Sequence, residues 1–291
     1  MEAITYVAPR SLDEAYAVLT NGKRTAVLAG GTDIIVQLRE GRRSADQVLD
    51  VKHIAEMMAH GFAADGTLEI GAAAPCADLY EDAEVVRRLP GLIDAASLIG
   101  GIQIQSRASM GGNICNAGPA ADSSPILIAL AATLRIGSKN GTREIPTEQF
   151  FAGPSRNTLQ PGELLTQIRI PAQPARSGAA YLRFIPRNEM DIAVCSSGVR
   201  LVLSADGSRI ESARISIGAS APTPLFVEAA GAALVGQAPT TESFTRAGEI
   251  CSAAVTPIDD MRGSIAQRRH LARVLTVRAL ESALKRAQEA R

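Results

Sequence analysis

The stretch from Val27 to Ile34, VLAGGTDI, takes an apolar strand directly into two glycines and then into the start of a helix. Glycine lets a backbone turn sharply and approach a ligand closely. Exposed N–H groups in front of a helix N-terminus suit a pyrophosphate, and Thr32 adds a hydroxyl donor. The same residues also make a good strand-to-helix turn with a cap, so both interpretations stay open at this point.

A second glycine-rich segment, residues 107–125, has the sequence RASMGGNICNAGPAADSSP. Its glycines, asparagines and aspartate give it little reason to be a core element, and we expect its backbone to fold around a ligand. Ser109 and the amides of 110–113 are candidate phosphate donors, and Asp122 is a candidate acceptor for ribose hydroxyls or an adenine amine. The alternative is a structural loop, but an irregular loop of this length in a compact domain is usually functional.

Two separated phosphate-type loops without a Rossmann fingerprint predict a dinucleotide held in a cleft between two small domains. The sequence around them divides into three regions. Residues 1–60 have the pattern of an α/β unit with strands at 25–29 and 47–51. Residues 61–173 follow, with strands at 67–71 and 164–170 and a hairpin turn at Asn140-Gly141. After a proline-rich linker, residues 179–291 form a C-terminal domain with strands at 180–185, 192–203 and 209–217, and then helices.

Composition excludes several classes of function. Lys plus Arg and Asp plus Glu both number 30, and this zero net charge argues against nucleic-acid binding and against a polybasic membrane contact. Aromatic residues make up only 3%, which disfavours a stacking platform for single strands. We find no transmembrane run and no signal-peptide layout at the N-terminus, so we expect a cytoplasmic protein.

Residues that could carry out chemistry are scarce. The four cysteines lie far apart without a C-x-x-C motif, so we expect free thiols rather than disulfides or a metal site. Only three histidines occur, and no hydrolase, metalloprotease or P-loop motif is present. With no catalytic residue and no metal ligand set in evidence, we expect a bound cofactor to carry the chemistry.

Four motifs in this order resemble a known family: AGGTD at 29–33, GGNICN at 111–116 with ADS at 121–123, RNEMDI at 187–192, and PIDDMRGS at 257–264. Over essentially the whole chain, the sequence resembles the FAD-binding medium subunit of the molybdenum hydroxylases, the xanthine dehydrogenase and carbon monoxide dehydrogenase type. The resemblance implies an α+β fold. It has two FAD-binding subdomains of the PCMH or vanillyl-alcohol-oxidase-like kind, plus a C-terminal domain with a three-stranded antiparallel sheet and helices.

The resemblance also implies which residues contact FAD. They are Ala26, Val27, Leu28, Ala29, Gly30, Gly31, Thr32, Asp33, Ile102, Ala108, Ser109, Met110, Gly111, Gly112, Asn113, Asp122, Leu164, Leu165, Leu182 and Arg183. Two positions depart from the family. Gln103-Ile104-Gln105-Ser106 stands where members often have Gln-Ile-Arg-Asn, which leaves the role of the following Arg107 open. Arg183 stands where many members have Lys. No counterpart of the family's occasional extra cysteine cluster is present, so FAD is the expected cofactor of this chain.

In function, the resemblance implies an electron-transfer subunit of a three-subunit enzyme, with electrons leaving FAD for an acceptor such as NAD. A large subunit would hold a molybdenum cofactor and a small subunit two [2Fe-2S] clusters, the whole being a dimer of heterotrimers. Two alternatives stay open. One is a stand-alone flavin-dependent oxidoreductase of the same FAD fold, akin to the cell-wall precursor reductases. The other is a scaffold or maturation protein that has lost FAD.

Overall fold

The computed structural model describes residues 4–187 and 190–290. Asn188 and Glu189 of the third motif therefore lie outside the described residues. The N-terminal region is a parallel three-stranded sheet in the order β1-β3-β2. Its elements are β1 (Thr5–Val7), α1 (Leu12–Leu19), β2 (Thr25–Leu28), α2 (Ile34–Arg39), β3 (Gln47–Asp50) and α3 (Ala55–Met58), with a 3-10 turn at Val51–His53.

The first of these strands is an addition to the sequence prediction, which placed only two strands in this region. Thr5–Val7 is three residues long, too short to show a periodic pattern. It is a strand because it pairs in parallel with Gln47–Leu49 on the far side from β2. Pairing with β3, rather than the local sequence, therefore makes these residues a strand.

The second region is a five-stranded antiparallel sheet in the order β4-β5-β10-β6-β7, covered by short helices. The elements are β4 (His60–Phe62), β5 (Leu68–Gly71), α4 (Cys76–Glu81), α5 (Ala83–Arg88), α6 (Pro90–Ala96), α7 (Ile102–Gln105), α8 (Met110–Asn116), α9 (Ser123–Ala129), β6 (Thr133–Ser138), β7 (Gly141–Pro146), β8 (Phe151–Gly153), β9 (Arg156–Asn157) and β10 (Leu164–Ile170). The predicted hairpin at Asn140-Gly141 joins β6 to β7.

Part of the segment that was expected to be an irregular ligand-binding loop is helix α8. The Oγ of Ser109 accepts a hydrogen bond from the Gly112 N–H at 3.1 Å and so caps the N-terminus of this helix. The helix ends at Ala117, whose φ of 49° is left-handed. Gly111 permits a close approach of this helix to the preceding chain, because a Cβ on Gly111 would lie 2.3 Å from the Ala72 carbonyl oxygen.

The C-terminal region is an antiparallel sheet in the order β11-β12-β13-β14, backed by helices. The three predicted strands are present, and the two-residue β14 extends their edge. The elements are β11 (Ser177–Phe184), β12 (Cys195–Leu203), β13 (Ile210–Gly218), β14 (Leu225–Phe226), α10 (Glu228–Ala232), α11 (Thr241–Ala254) and α12 (Ile265–Glu289). No helix within the described ranges has the length and apolarity needed to cross a bilayer.

Two large hydrophobic cores hold the molecule together. One runs through the first and second regions and takes in Tyr181 from β11. The other packs the C-terminal sheet against α10, α11 and α12. Strand β12 is buried along almost its whole length, because α12 packs against the sheet there and α9 of the second region also contacts the strand. The C-terminal region is therefore packed directly onto the second region.

Candidate functional site

A cleft lies between the parallel sheet of the first region and helix α8 of the second. The carboxyl ends of β2 and β3 meet at one edge of their sheet, with Leu28 paired to Asp50. The chain that leaves β2 at this edge is the first glycine segment, which enters α2 at Ile34. Because parallel strands end together at the same edge, such an edge is a frequent site for ligands.

The two glycine segments touch at Gly30. A Cβ on this residue would lie 1.8 Å from the carbonyl oxygen of Arg107 and 2.5 Å from its carbonyl carbon. Both atoms belong to the backbone, so no side chain fits here without moving one of the segments. The structure thus brings together the two stretches that the sequence analysis singled out separately, with Gly30 as the point of contact.

The first segment offers a row of unused backbone donors. None of the hydrogen bonds among the described residues uses the N–H groups of residues 30–33. Asp33 stands at the start of α2, but its side chain makes no capping hydrogen bond. Donors left unpaired at the edge of a cleft are what a pyrophosphate requires, since the polypeptide itself does not satisfy them.

Most of the residues that the resemblance implied as FAD contacts line this cleft. They are Val27, Ala29, Gly30, Gly31, Thr32, Asp33, Ala108, Ser109, Gly111, Gly112, Asn113, Leu164 and Leu165. Seven others lie outside the lining: Ala26, Leu28, Ile102, Met110, Asp122, Leu182 and Arg183. Met110 is buried in the first core, Ala26 is buried in a small separate cluster with Ile34 and Ala45, and Ile102 is 74% exposed.

Sequence reasoning missed several polar residues of the cleft. Gln37 on α2 donates to Asn116 Oδ1 at 3.0 Å, and Asn157 on β9 donates to the Cys115 carbonyl at 2.8 Å. Glu163 and Arg43 also line the cleft. The missed residues come from two distant stretches of the chain, 37–43 and 157–163, and share no motif, so only the fold brings them together.

Asp122 forms a buried ion pair beside the cleft. Its carboxylate accepts from the Tyr181 hydroxyl at 2.6 Å and from Arg183 Nη1 at 2.7 Å, both on β11. Burial raises the pKa of Asp122, although the Arg183 charge and the Tyr181 hydrogen bond act in the opposite direction. The two predicted residues Asp122 and Arg183 are therefore in contact, and they tie the second region to the C-terminal sheet.

The thiols are suited to packing rather than to chemistry. Burial raises the pKa of Cys76, Cys115 and Cys251 to about 12 and that of Cys195 to about 11. At such values the reactive thiolate is scarce near neutral pH. Among the described residues, no three His, Cys, Asp or Glu side chains come together in a way that could hold a metal ion. The site is suited to binding and orienting a cofactor.

Two family models match this chain. One, described as the FAD binding domain in molybdopterin dehydrogenase, matches residues 2–173. The other, the CO dehydrogenase flavoprotein C-terminal domain, matches residues 180–283. Together they account for nearly the whole sequence.

Two relatives are similar over almost their whole length. The xanthine dehydrogenase FAD-binding subunit of Escherichia coli O157:H7 is 32% identical over 283 residues, 96% of each chain. The carbon monoxide dehydrogenase medium chain of Hydrogenophaga pseudoflava is 31% identical over 280 residues, also 96% of each.

Two solved structures have the same fold as this chain. A carbon monoxide dehydrogenase from Hydrogenophaga pseudoflava that lacks the Mo-pyranopterin moiety superimposes with a TM-score of 0.92 at 32% identity, covering 97% of this chain and 98% of that one. Quinoline 2-oxidoreductase from Pseudomonas putida 86 gives a TM-score of 0.90 at 26% identity, covering 98% of both chains.

Proposed function

This chain belongs to the family of FAD-binding medium subunits of the molybdenum hydroxylases, the xanthine and carbon monoxide dehydrogenase type, and we propose from this that it holds FAD in the cleft between residues 29–33 and 107–113. The resemblance and the fold class expected from the sequence are confirmed, and so is the assignment as an oxidoreductase subunit with FAD as its cofactor.

The contact of Gly30 with Arg107 carries the proposal for the site. This contact closes one glycine segment on the other, and no described residue accepts a hydrogen bond from the N–H groups of residues 30–33 at the resulting edge of the cleft. The donor set fits a dinucleotide, since these amides suit the pyrophosphate. At the start of α8, by contrast, the N–H groups of Gly112 and Asn113 are already bonded to Ser109. Leu164 and Leu165 supply apolar lining for the rest of the molecule.

The remaining predicted contacts belong to the same proposal. Asp122 and Arg183 would act as one unit, because they are paired, and Leu182 lies between Arg183 and Tyr181 in β11. Ala26, Leu28 and Met110 would support the cleft by packing behind it. When bound, FAD accepts electrons singly and releases them in pairs. The chain's own part is to hold and orient the cofactor and to keep water from part of it, and we assign no proton transfer to a side chain.

We further propose the complex in which this subunit works. Electrons would come from the two [2Fe-2S] clusters of a small partner subunit, after oxidation of a substrate at the molybdenum cofactor of a large one, and would leave for an acceptor such as NAD. The assembly would be a dimer of heterotrimers in the cytoplasm. Within this chain we propose the boundaries 1–60 and 61–173 for the FAD-binding subdomains and 179–291 for the C-terminal domain.

The test is a titration of the purified chain with FAD and, separately, with FMN, which lacks the AMP half. We expect saturable FAD binding, seen as quenching of flavin fluorescence, with FMN binding far more weakly. The isolated chain should oxidise no substrate by itself. Equal affinity for FMN would contradict a site that holds the whole dinucleotide, and substrate turnover by the isolated chain would favour the stand-alone oxidoreductase instead.

A further inference from the structure

A lysine stands directly behind the first glycine segment. Lys52 lies in the 3-10 turn that follows β3, and its Nζ donates to the Ala29 carbonyl oxygen at 2.8 Å. Its side chain is only 16% exposed. Parallel pairing explains the contact, because β2 and β3 end side by side and place residue 29 next to the turn at 51–53. No motif in the sequence marks this lysine.

An aspartate and a tyrosine fix the lysine in place. Asp50 Oδ1 accepts from Lys52 Nζ at 2.6 Å and from the Lys52 N–H at 3.0 Å, while Oδ2 accepts from the Tyr6 hydroxyl at 2.7 Å. Burial alone would raise the pKa of Asp50, but the hydrogen bonds from Lys52 and Tyr6 outweigh it and leave the pKa below its usual value. The carboxylate is thus ionised and holds the ammonium against the Ala29 carbonyl.

Peptide geometry then links Lys52 to the donor at Gly30. No cis peptide bond occurs among the described residues, and in a trans peptide the C=O and the following N–H point in opposite directions. If Lys52 holds the Ala29 carbonyl on its own side, the Gly30 N–H must point to the other side. Gly30 lines the cleft, whereas Lys52 is absent from the described residues of that lining.

We propose that Lys52 is a positioning residue of the cofactor site: by holding the Ala29 carbonyl, it orients the Ala29–Gly30 peptide so that the Gly30 N–H is offered to a phosphate oxygen. This inference rests on the proposed function, since it needs a pyrophosphate in the cleft. We expect this positioning to contribute about as much as one charge-assisted hydrogen bond, which corresponds to roughly a tenfold change in affinity for the cofactor.

The test measures FAD and ADP dissociation constants by calorimetry for the full chain and four variants. Lys52→Met should weaken the binding of FAD and of ADP equally, by about tenfold, because both ligands contain the pyrophosphate. Lys52→Arg keeps a charged donor and should restore affinity to within about threefold. Lys23→Met is the matched control, with the same change in net charge on an exposed lysine at the other end of β2.

The fourth variant separates positioning from charge. Lys52→Met leaves the buried Asp50 carboxylate without its ammonium partner, and this uncompensated charge could repel phosphate or disturb folding. The double variant Lys52→Met/Asp50→Asn removes both charges, and we expect it to stay folded and still bind FAD several-fold more weakly than the wild type. Wild-type affinity in Lys52→Met or in Lys52→Met/Asp50→Asn would overturn the proposal, and so would a Lys52→Arg variant that binds as weakly as Lys52→Met. A wild-type chain that binds neither ligand would instead overturn the proposed function and this inference with it.

Discussion

Among the glycines of the candidate site, Gly30 leaves the least space for a side chain. Because a Cβ here would lie 1.8 Å from a backbone oxygen, Gly30→Ala must push the 29–33 and 107–113 segments apart. Each displaced phosphate donor is worth about 1.5–3 kcal/mol, so we expect FAD affinity to fall by about 100-fold or more, measured by fluorescence titration.

Gly61→Ala is the control for this change. Gly61 lies in β4 with an ordinary φ and no heavy atom within 4 Å of the added Cβ. The affinity of the Gly61→Ala variant for FAD should stay within about twofold of that of the wild type. If folded Gly30→Ala protein bound FAD as tightly as the wild type, the two segments would not be closing on the cofactor.

At the residue scale, the sequence predicted cleft residues that lie in one contiguous segment. It missed those that come to the cleft from distant parts of the chain. Gly30, Gly111 and Ser109 line the cleft and were selected because they lie in contiguous glycine-rich segments, although Ser109 was selected as a phosphate donor and its Oγ caps helix α8. Lys52, Gln37 and Asn157 were not, since each reaches the site from a different element. The hydrogen-bond partners of these three are 23, 79 and 42 residues away in sequence.

At the scale of elements, helix α8 shows why intrinsic propensity misled. Glycines disfavour a helix by about 1 kcal/mol each relative to alanine, and the segment was expected to be irregular. The Ser109 cap and the close packing of Gly111 on Ala72 outweigh that cost. The long strands β10 to β13, with their strong apolar patterns, were predicted to within a few residues. Elements fixed by tertiary contacts, such as β1, were not.

An ion pair joins two elements of the five-stranded sheet and predicts a pH dependence. Arg143 on β7 contacts Glu163, just before β10, with Nε–Oε1 and Nη2–Oε2 distances both of 2.7 Å. Hydrogen bonding to Arg143 lowers the pKa of Glu163 from its ordinary value of 4.5, although burial acts against it. The unfolded state therefore binds the proton more readily, so this stabilisation is full above pH about 4.5 and is lost as the pH falls further.

Glu163→Gln should remove this contribution. At pH 7 we expect the ligand-free variant to be less stable by about 1 kcal/mol, and the difference from the wild type to shrink between pH 5 and pH 3, as followed by thermal melting. Glu281→Gln, an exposed position on α12, is the control and should match the wild type throughout. A difference that stays constant down to pH 3 would show that pairing with Arg143 does not lower the pKa of Glu163.

At the scale of the whole molecule, the C-terminal region is attached to the second region by buried and half-buried polar contacts as well as by apolar packing. Asp122 pairs with Arg183, and Arg214 on β13 bonds Glu148 and the Ile128 carbonyl. Such contacts lie far apart in sequence and could not be predicted from it. The apolar periodicity of α12 and the strands predicted that a packed C-terminal domain exists, but not which face it presents to the rest of the chain.

Arg286 provides the sharpest test of that attachment. Near the end of α12, it donates to Asp94 Oδ2 at 2.6 Å, to Asp94 Oδ1 at 2.9 Å and to the Ala179 carbonyl at 2.7 Å. It thus links α12, α6 and β11, and the same Asp94 Oδ2 accepts from the Tyr181 N–H. Arg286→Met leaves a half-buried carboxylate without its cation, which should cost about 2–3 kcal/mol and lower the melting temperature by roughly 5 °C.

The adjacent Lys285→Met serves as the control, because Lys285 is exposed and the charge change is identical. Its melting temperature should stay within about 1 °C of the wild type. FAD affinity, measured well below the melting transition, should be unchanged in both variants, since Arg286 is outside the described cleft lining. An Arg286→Met protein as stable as the wild type would mean that apolar packing alone fixes the C-terminal region. A loss of FAD affinity in the folded variant would mean instead that the placement of this region shapes the cofactor site.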